Sequence, residues 1–261
     1  MIYTGDDSGF PSIKLASQST SGEWERQGTL LGASTGAAMP QSKETPFYRL
    51  GPDGEHQIYF IGYANEETYE SAIYLAVAGA FDGPYTVLPD PVVPLGRMAG
   101  RNVRVITSPS VIDHDGKLLM AFLGWDDFQN VTRVWVLGAQ SDDNGRSWTG
   151  FREIDAPIGM EGQITQMPDG GYIAARTGEI SSTQEAIFAG CARHPFGPYE
   201  TLEQPLLTQS GPPWETDEII APQVFFNTST GTVHLYYTGA DYRRGWWVME
   251  ATLLETMGVE P

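Results

Sequence analysis

The chain has 261 residues, with 33 acidic against 15 basic side chains and a net charge of −18. This charge argues against a nucleic-acid or anionic-membrane partner, because both are negative, and favours a neutral or cationic ligand. No apolar run reaches the length of a membrane span, and the single cysteine, Cys191, excludes an internal disulfide.

The chain begins with two short strands and a turn. Residues 1–5 and 12–17 predict the strands, and residues 22–24 predict the turn that closes this unit. A content of 30 glycines and 18 prolines is typical of a turn-rich, all-β protein. The chain opens directly with Met1 and shows no pattern of a secretory signal peptide, which predicts a cytoplasmic protein if Met1 is the natural start.

Residues 106–148 contain the unit that the rest of the chain repeats. They predict a strand, a tight turn at Asp115-Gly116, a second strand, a polar loop, a third strand and another turn. Asp-Gly between apolar runs favours a hairpin because glycine accepts positive φ at no steric cost. The same order recurs on both sides, aligned at Pro46, Pro109, Gln163 and Pro222, which are 63, 54 and 59 residues apart. The third strands are expected at residues 72–76, 133–139, 186–191 and 246–251.

Repeated antiparallel units predict a single all-β domain, a five-bladed β-propeller, because one unit cannot bury both of its faces alone. A β-sandwich is the alternative. The blades are expected at about residues 1–32, 40–96, 104–156, 158–207 and 214–256. The first blade lacks its innermost strand, which would lie upstream of Met1. We therefore expect residues 253–261 or a neighbouring chain to cover the open edge of residues 1–5, which would allow an oligomer to form there.

The topology of a propeller predicts where ligand-binding residues lie. The inner strands begin at one mouth of the channel, and the loops between second and third strands return to that mouth. Carboxylates, aromatic rings and arginines therefore meet there, and this mixture predicts a carbohydrate ligand. The candidate substrate-binding residues are Asp7, Arg104, Ser108, Trp125, Asp126, Trp214 and Arg243.

Two carboxyl groups across a pocket are the minimum apparatus of glycoside hydrolysis, because one protonates the leaving oxygen while the other activates water or attacks carbon. Glu161 is the candidate acid, since it stands between Met160 and Gly162 with no basic neighbour in the sequence, and burial raises the pKa of a carboxyl group. Its partner is expected to be Glu44, Asp217 or Glu218. Residues 214–218 form the densest acidic and aromatic cluster of the predicted mouth.

Two stretches resemble the family 43 glycoside hydrolases. Glu161-Gly162-Gln163, followed by Pro168-Asp169-Gly170-Gly171-Tyr172 and residues 195–199, is similar to the blade of these enzymes that bears the acid. Residues 106–117 are similar to the preceding blade. The resemblance extends as a repeat over nearly the whole chain and includes the related families 32, 68 and 130. It implies a five-bladed propeller that cleaves a neutral oligo- or polysaccharide of the arabinoside, xyloside or galactoside class, without a required cofactor.

The chain departs from the family at two of three catalytic positions. The resemblance implies a base aspartate on the first inner strand, a second aspartate before the proline of the third blade and a glutamate in the fourth. Glu161 matches the glutamate, Ser108 stands in place of the second aspartate, and the strand bearing the base would precede Met1. The alternatives are thus a divergent glycosidase, a non-catalytic carbohydrate-binding propeller, or a truncated, inactive glycosidase.

Other signals predict structural roles. Residues 141–148 match the Ser-x-Asp-x-Gly-x-x-Trp box of sialidase-like propellers, in which it serves folding. A sialidase would use Arg104, Arg243 and Arg244 to bind a carboxylate. The four histidines lack metal-ligand spacing, so we expect no catalytic metal, although an oxygen-rich channel could hold a structural Ca²⁺.

Overall fold

The computed structural model describes residues 1–7, 9–32, 42–65, 67–126, 133–159 and 161–253. No helix occurs in these ranges, which confirms the prediction of an all-β protein. The chain divides into two compact units, Met1–Glu153 and Ile154–Pro261.

The first unit begins with a three-stranded antiparallel sheet. Its strands are β1 (Ile2–Asp7), β2 (Phe10–Gln18) and β3 (Trp24–Leu31), in the order β1-β2-β3. Residues 1–5 and 12–17 are strands, as predicted, whereas the expected closing turn at residue 24 opens a full third strand. Strand β1 is at the edge of this sheet, where the Thr4 hydroxyl accepts a hydrogen bond from the backbone N–H of Thr45. The predicted cover of this edge by residues 253–261 concerns a segment of which residues 254–261 lie outside the described ranges.

Two further meanders complete the first unit. The first contains β4 (Lys43–Leu50), β5 (His56–Asn65), β6 (Glu70–Ala78) and β7 (Thr86–Val87). A two-stranded ribbon of β8 (Gly96–Met98) and β9 (Arg101–Val103) leads to the second, which contains β10 (Val105–His114), β11 (Lys117–Trp125), β12 (Val134–Ser141) and β13 (Thr149–Glu153). A parallel bridge between Val105 and Ser71 joins the two meanders into one sheet.

The second unit has two meanders of its own. One contains β14 (Ile164–Gln166), β15 (Tyr172–Ser181), β16 (Gln184–Ala192), β17 (Glu200–Thr201) and β18 (Leu207–Thr208). The other contains β19 (Glu218–Asn227), β20 (Thr232–Asp241) and β21 (Gly245–Leu253). All pairings within them are antiparallel.

Alternating apolar side chains pack neighbouring meanders face to face within each unit. In the first unit, Ile13 packs with Ile58 and Phe60, and a larger cluster is built around Leu75, Met120 and Phe122. In the second unit, residues of β15 and β16, including Ile173 and Ile187, pack against residues of β19 and β20, including Val224 and Leu235. These cores bury the apolar face that a single meander would leave exposed.

The first strands of three meanders, β4, β10 and β19, share one backbone irregularity. Thr45, Ser108 and Ala221 have φ angles of 49°, 57° and 56°, and the pairing register shifts across each of them. Each is followed by a proline, Pro46, Pro109 or Pro222. Proline has no N–H to donate to a ladder, which explains why the register breaks there.

The equivalent position in the remaining meander is Glu161, whose φ is 57°. Glu161 is followed by Gly162 where the other three have proline, so the repeat aligns at Gly162 and the predicted alignment at Gln163 is wrong by one residue. The reason is steric, because a Cβ on Gly162 would lie 2.3 Å from the carbonyl oxygen of Ala175. Only glycine permits this approach between the segment that bears Glu161 and strand β15.

The turn at residues 141–148 is a structural element in which Ser141, Gly145 and Trp148 are buried. The Ser141 hydroxyl donates to Asp143 at 2.7 Å and accepts from the backbone N–H of Gly145 at 2.9 Å. The indole of Trp148 is 5 % exposed and donates to the Gly145 carbonyl. Arg49 of β4 donates to Asn144 in this turn and to Gln57 and Asp113. These contacts tie three strands together, in agreement with the folding role predicted for the box.

Candidate active site

Glu161 precedes β14 and has a positive φ of 57°, a backbone conformation that residues other than glycine rarely adopt. A residue other than glycine at positive φ costs about 1–3 kcal/mol and persists only where the surroundings impose it. Two observations show that constraint: Gly162 N–H donates to the Gly159 carbonyl at 3.0 Å, and Gly162 fits beneath Ala175. The Glu161 side chain is partly buried. Its carboxyl group is thus carried by a strained backbone that the neighbouring residues impose.

Asp217 and Glu218 lie together at the start of β19 and share one hydrogen-bonding partner. The backbone N–H of Tyr242 donates to Asp217 Oδ2 at 2.6 Å, and the Tyr242 hydroxyl donates to Glu218 Oε2 at 2.7 Å. The hydrogen bond to Glu218 raises the pKa of Tyr242 to about 12. The other oxygen of each carboxylate, Asp217 Oδ1 and Glu218 Oε1, accepts no hydrogen bond from the described residues. Each carboxylate therefore has one oxygen that accepts a hydrogen bond from the described residues and one that does not.

Glu185 joins this pair from β16 and was missed in the sequence. Its Oε2 accepts the backbone N–H of Ile219 at 2.8 Å, which places it beside Glu218. Burial raises the pKa of Glu185, the Ile219 hydrogen bond lowers it, and the charges of Glu218 and Glu179 raise it. Glu179 is the residue directly opposite Glu185 across β15 and β16. The missing signal was the packing of β16 against β19, which the sequence does not show.

Glu215 belongs to the same sequence cluster but has a different role. It is 3 % exposed, and its carboxylate accepts from Ser210 N at 2.6 Å, Ser210 Oγ at 2.8 Å and the Tyr237 hydroxyl at 2.5 Å. The buried Gln209 amide donates to its backbone carbonyl. All these bonds are internal, so Glu215 anchors the loop that carries Trp214 and Asp217.

Aromatic rings stand on both faces of the β20–β21 hairpin. Trp214 contacts Trp247 edge-on, with ring centroids 4.9 Å apart. On the other face, Tyr242 and Trp246 have centroids 5.7 Å apart and are 64 % and 54 % exposed. Arg243 is exposed between them in the sequence, and its backbone N–H donates to Asp241 at 3.0 Å. Trp246 and Trp247 were absent from the predicted site, because only the folded hairpin shows that they contact Tyr242 and Trp214.

The first unit holds the other predicted site residues. Glu44 accepts a hydrogen bond from the Tyr63 hydroxyl at 3.0 Å, and Arg104 forms an ion pair with Glu70. Ser108 and Trp125 are 1 % and 3 % exposed, and their part in substrate binding stays a prediction. Asp126 is partly buried. The side chain of Asp7 lies outside the described residues.

Within the described part of the chain, no three His, Cys, Asp or Glu side chains are arranged to hold a metal ion. The structural Ca²⁺ suggested by the sequence therefore stays a prediction. The same part of the chain has no helix of the length and apolarity needed to cross a membrane.

Comparisons with known proteins place the fold. No sequence profile of a protein family matches the chain, and no curated protein matches it. Among solved structures, a glycoside hydrolase superposes with a TM-score of 0.76 and 14% identity over 97% of this chain and 82% of that one. An endo-arabinase from Bacteroides thetaiotaomicron gives 0.72 and 13% over 98% and 94%. A thermostable family-43 glycoside hydrolase gives 0.71 and 11% over 99% and 90%. The chain therefore has a fold like that of the family 43 glycoside hydrolases.

Proposed function

We propose that this protein is a glycoside hydrolase that acts on a neutral oligo- or polysaccharide, with Glu161 as its general acid. The observation that carries the proposal is the equivalence of Thr45, Ser108, Glu161 and Ala221 at the four left-handed positions of the repeat. Glu161 is the acidic member of this set. Strained backbone of this kind clusters at functional sites, and a carboxyl group held there is pre-positioned to protonate a leaving oxygen.

The second carboxyl group is proposed to be Glu218, with Asp217 as the alternative. Glu218 and Asp217 belong to the same unit as Glu161 and each keep one oxygen that accepts nothing within the described ranges. Such an oxygen can accept a proton from water or attack the anomeric carbon, while Glu161 donates its proton to the departing oxygen. This acid–base chemistry requires no cofactor.

The substrate class is proposed from charge and fold. A net charge of −18 repels anionic glycans, and the solved structures with this fold include an endo-arabinase and an α-L-arabinofuranosidase. We therefore expect an arabinoside, a xyloside or a galactoside. The five meanders are proposed to be the blades of a five-bladed propeller, the first without its innermost strand.

A second candidate is a carbohydrate-binding protein without catalysis. The residues equivalent to Glu161 are a threonine, a serine and an alanine, none of which can serve as a base or nucleophile as a carboxylate does. In such a protein the aromatic and carboxylate groups would bind the carbohydrate, and no pair of carboxyl groups would have to face each other.

Hydrolysis of aryl arabinofuranosides, xylosides, galactosides and fructosides tests the proposal, with Glu161→Gln beside the wild type. On the unactivated oligosaccharide of the sugar that the panel identifies, turnover should fall by about 10²–10⁴-fold in the variant, the usual contribution of a general acid, whereas an aryl glycoside with a good leaving group should lose less. Glu203→Gln is the matched control, since Glu203 is an exposed carboxylate of the same unit, and its turnover should stay near that of the wild type. Binding of the glycans without turnover would favour the second candidate, and equal turnover in both variants would refute the role of Glu161.

A further inference from the structure

One face of the β19–β21 sheet combines exposed rings with a half-satisfied carboxylate. Glu218, Ala240 and Trp246 stand opposite one another across the three strands, and directly opposed residues of antiparallel strands project from the same face. Ala240, in the middle of the row, is 0 % exposed. The ring of Tyr242 spans from the carboxylate to the indole, because its hydroxyl donates to Glu218 and its centroid is 5.7 Å from that of Trp246, with the two ring planes inclined by 51°.

Tyr242 is exposed and yet tightly held. It is 64 % exposed, but its backbone N–H is bonded to Asp217 at 2.6 Å and its hydroxyl to Glu218 at 2.7 Å. An aromatic ring fixed in this way presents its surface to a ligand at little cost in conformational entropy. A second exposed ring lies beside it, since Trp246 is 54 % exposed, and adjacent exposed apolar groups can mark a binding site.

The groups around the rings identify the chemistry of the occupant. Glu218 Oε1 and Asp217 Oδ1 can only accept hydrogen bonds, and the exposed Arg243 guanidinium, without a partner among the described residues, can only donate. A sugar ring matches both properties, because its hydroxyls donate and accept while its C–H face is apolar. A purely apolar peptide would leave the carboxylates and the guanidinium desolvated without compensation.

We propose that Tyr242 and Trp246 form a stacking platform that binds a neutral sugar ring beside Glu218. The stacked ring is the part of the glycan next to the reacting bond, with its hydroxyls bonded to Glu218, Asp217 and Arg243. This inference rests on the proposed function, since it names how that same site holds its carbohydrate.

The test uses the full chain, with xylotriose and arabinotriose as probes in calorimetric titration and hydrolysis assays. Trp246→Ala should raise the dissociation constant or KM by about tenfold, as expected for the loss of one aromatic contact, and leave kcat near the wild-type value. Trp246→Phe keeps a ring and should recover part of the affinity. Phe225→Ala is the matched control, because Phe225 is 48 % exposed on the same sheet and should leave both constants unchanged.

Three outcomes would overturn the platform. An unchanged KM and dissociation constant in Trp246→Ala, with an active wild type, would refute it and leave the proposed function standing. A wild-type dimer that Trp246→Ala dissociates in sedimentation would show that a second copy of the chain covers these rings. A wild type that neither binds nor cleaves any of the glycans would refute the proposed function itself, and the platform with it.

Discussion

Two groups of polar side chains, one in each unit, differ in how many of their hydrogen-bonding atoms have a partner. The Arg49 network of the first unit contains Arg49, Gln57, Asp113 and Asn144, and the Tyr242 cluster of the second contains Asp217, Glu218, Tyr242 and Trp246. The Arg49 guanidinium, 8 % exposed, donates to Asp113, Gln57 and Asn144 at 2.8–3.0 Å. Around Tyr242, the rings are exposed and Asp217 and Glu218 each use one oxygen. Buried polar groups that are fully bonded stabilise a fold, whereas groups left half bonded at a surface are free to bind a ligand. The number of hydrogen bonds that are already formed, more than the type of residue, distinguishes the structural Arg49 network from the candidate site around Tyr242.

The largest expected loss of stability follows from breaking the Arg49 network. Arg49→Ala should lower the free energy of unfolding by about 2–4 kcal/mol, because it removes charged hydrogen bonds and leaves the buried Gln57 side chain without one of its donors. Urea denaturation measures the loss. Any glycan affinity per folded molecule should stay unchanged, and a selective loss of affinity at full stability would reverse the roles assigned to the two clusters.

Glu215 and Glu218 allow a fully hydrogen-bonded carboxylate to be compared with a partly bonded one only three residues away. Glu215→Gln should cost about 1–2 kcal/mol, since an amide nitrogen would replace one oxygen that accepts from Ser210 or Tyr237. The matched variant is Glu218→Gln, whose carboxylate has a single donor and should change the free energy of unfolding by less than about 0.5 kcal/mol. Thermal unfolding of the two variants checks the contrast, and equal losses would contradict it.

The smallest expected effect concerns Glu185 and depends on pH. Because burial and the charges of Glu218 and Glu179 raise the pKa of Glu185, the folded state binds its proton more tightly than the unfolded state. Its contribution to stability is then full below the unfolded pKa of about 4.3 and is lost as pH rises through the folded value. Glu185→Gln keeps an oxygen for Ile219 and should stabilise the protein by about 0.5 kcal/mol at pH 7. The gain should vanish at pH 4; a variant no more stable than wild type at pH 7 would show that the carboxylates do not repel.

The strands were predictable from the sequence and the site was predictable in part. Asp115-Gly116 and the prolines at 46, 109 and 222 mark turns and bulges through local backbone preference, so the repeat could be aligned without knowledge of the fold. The alignment at Gln163 was wrong because Gly162 replaces proline for a steric reason that involves Ala175, a residue of the next strand.

Contacts between distant residues were the part that sequence could not supply. Asp217, Glu218 and Trp214 were recognised as an acidic and aromatic cluster, but Glu185 joins them only through the packing of β16 against β19. Arg49 and Asp113 meet although 64 residues separate them. The burial of Trp125 likewise depends on its neighbours in the folded unit, which its residue type does not reveal.

The most direct measurement of the central claim compares leaving groups in a Glu161→Ala variant. A general acid is needed to expel a poor leaving group, such as the alcohol of a methyl glycoside, but hardly needed for dinitrophenolate. The two glycosides carry the sugar that gives the fastest turnover in the panel. We predict that Glu161→Ala abolishes cleavage of the alkyl glycoside but largely retains the rate at which the glycosidic bond of the dinitrophenyl glycoside is broken. Equal losses on both substrates, or none on either, would contradict the assignment of Glu161 as the acid.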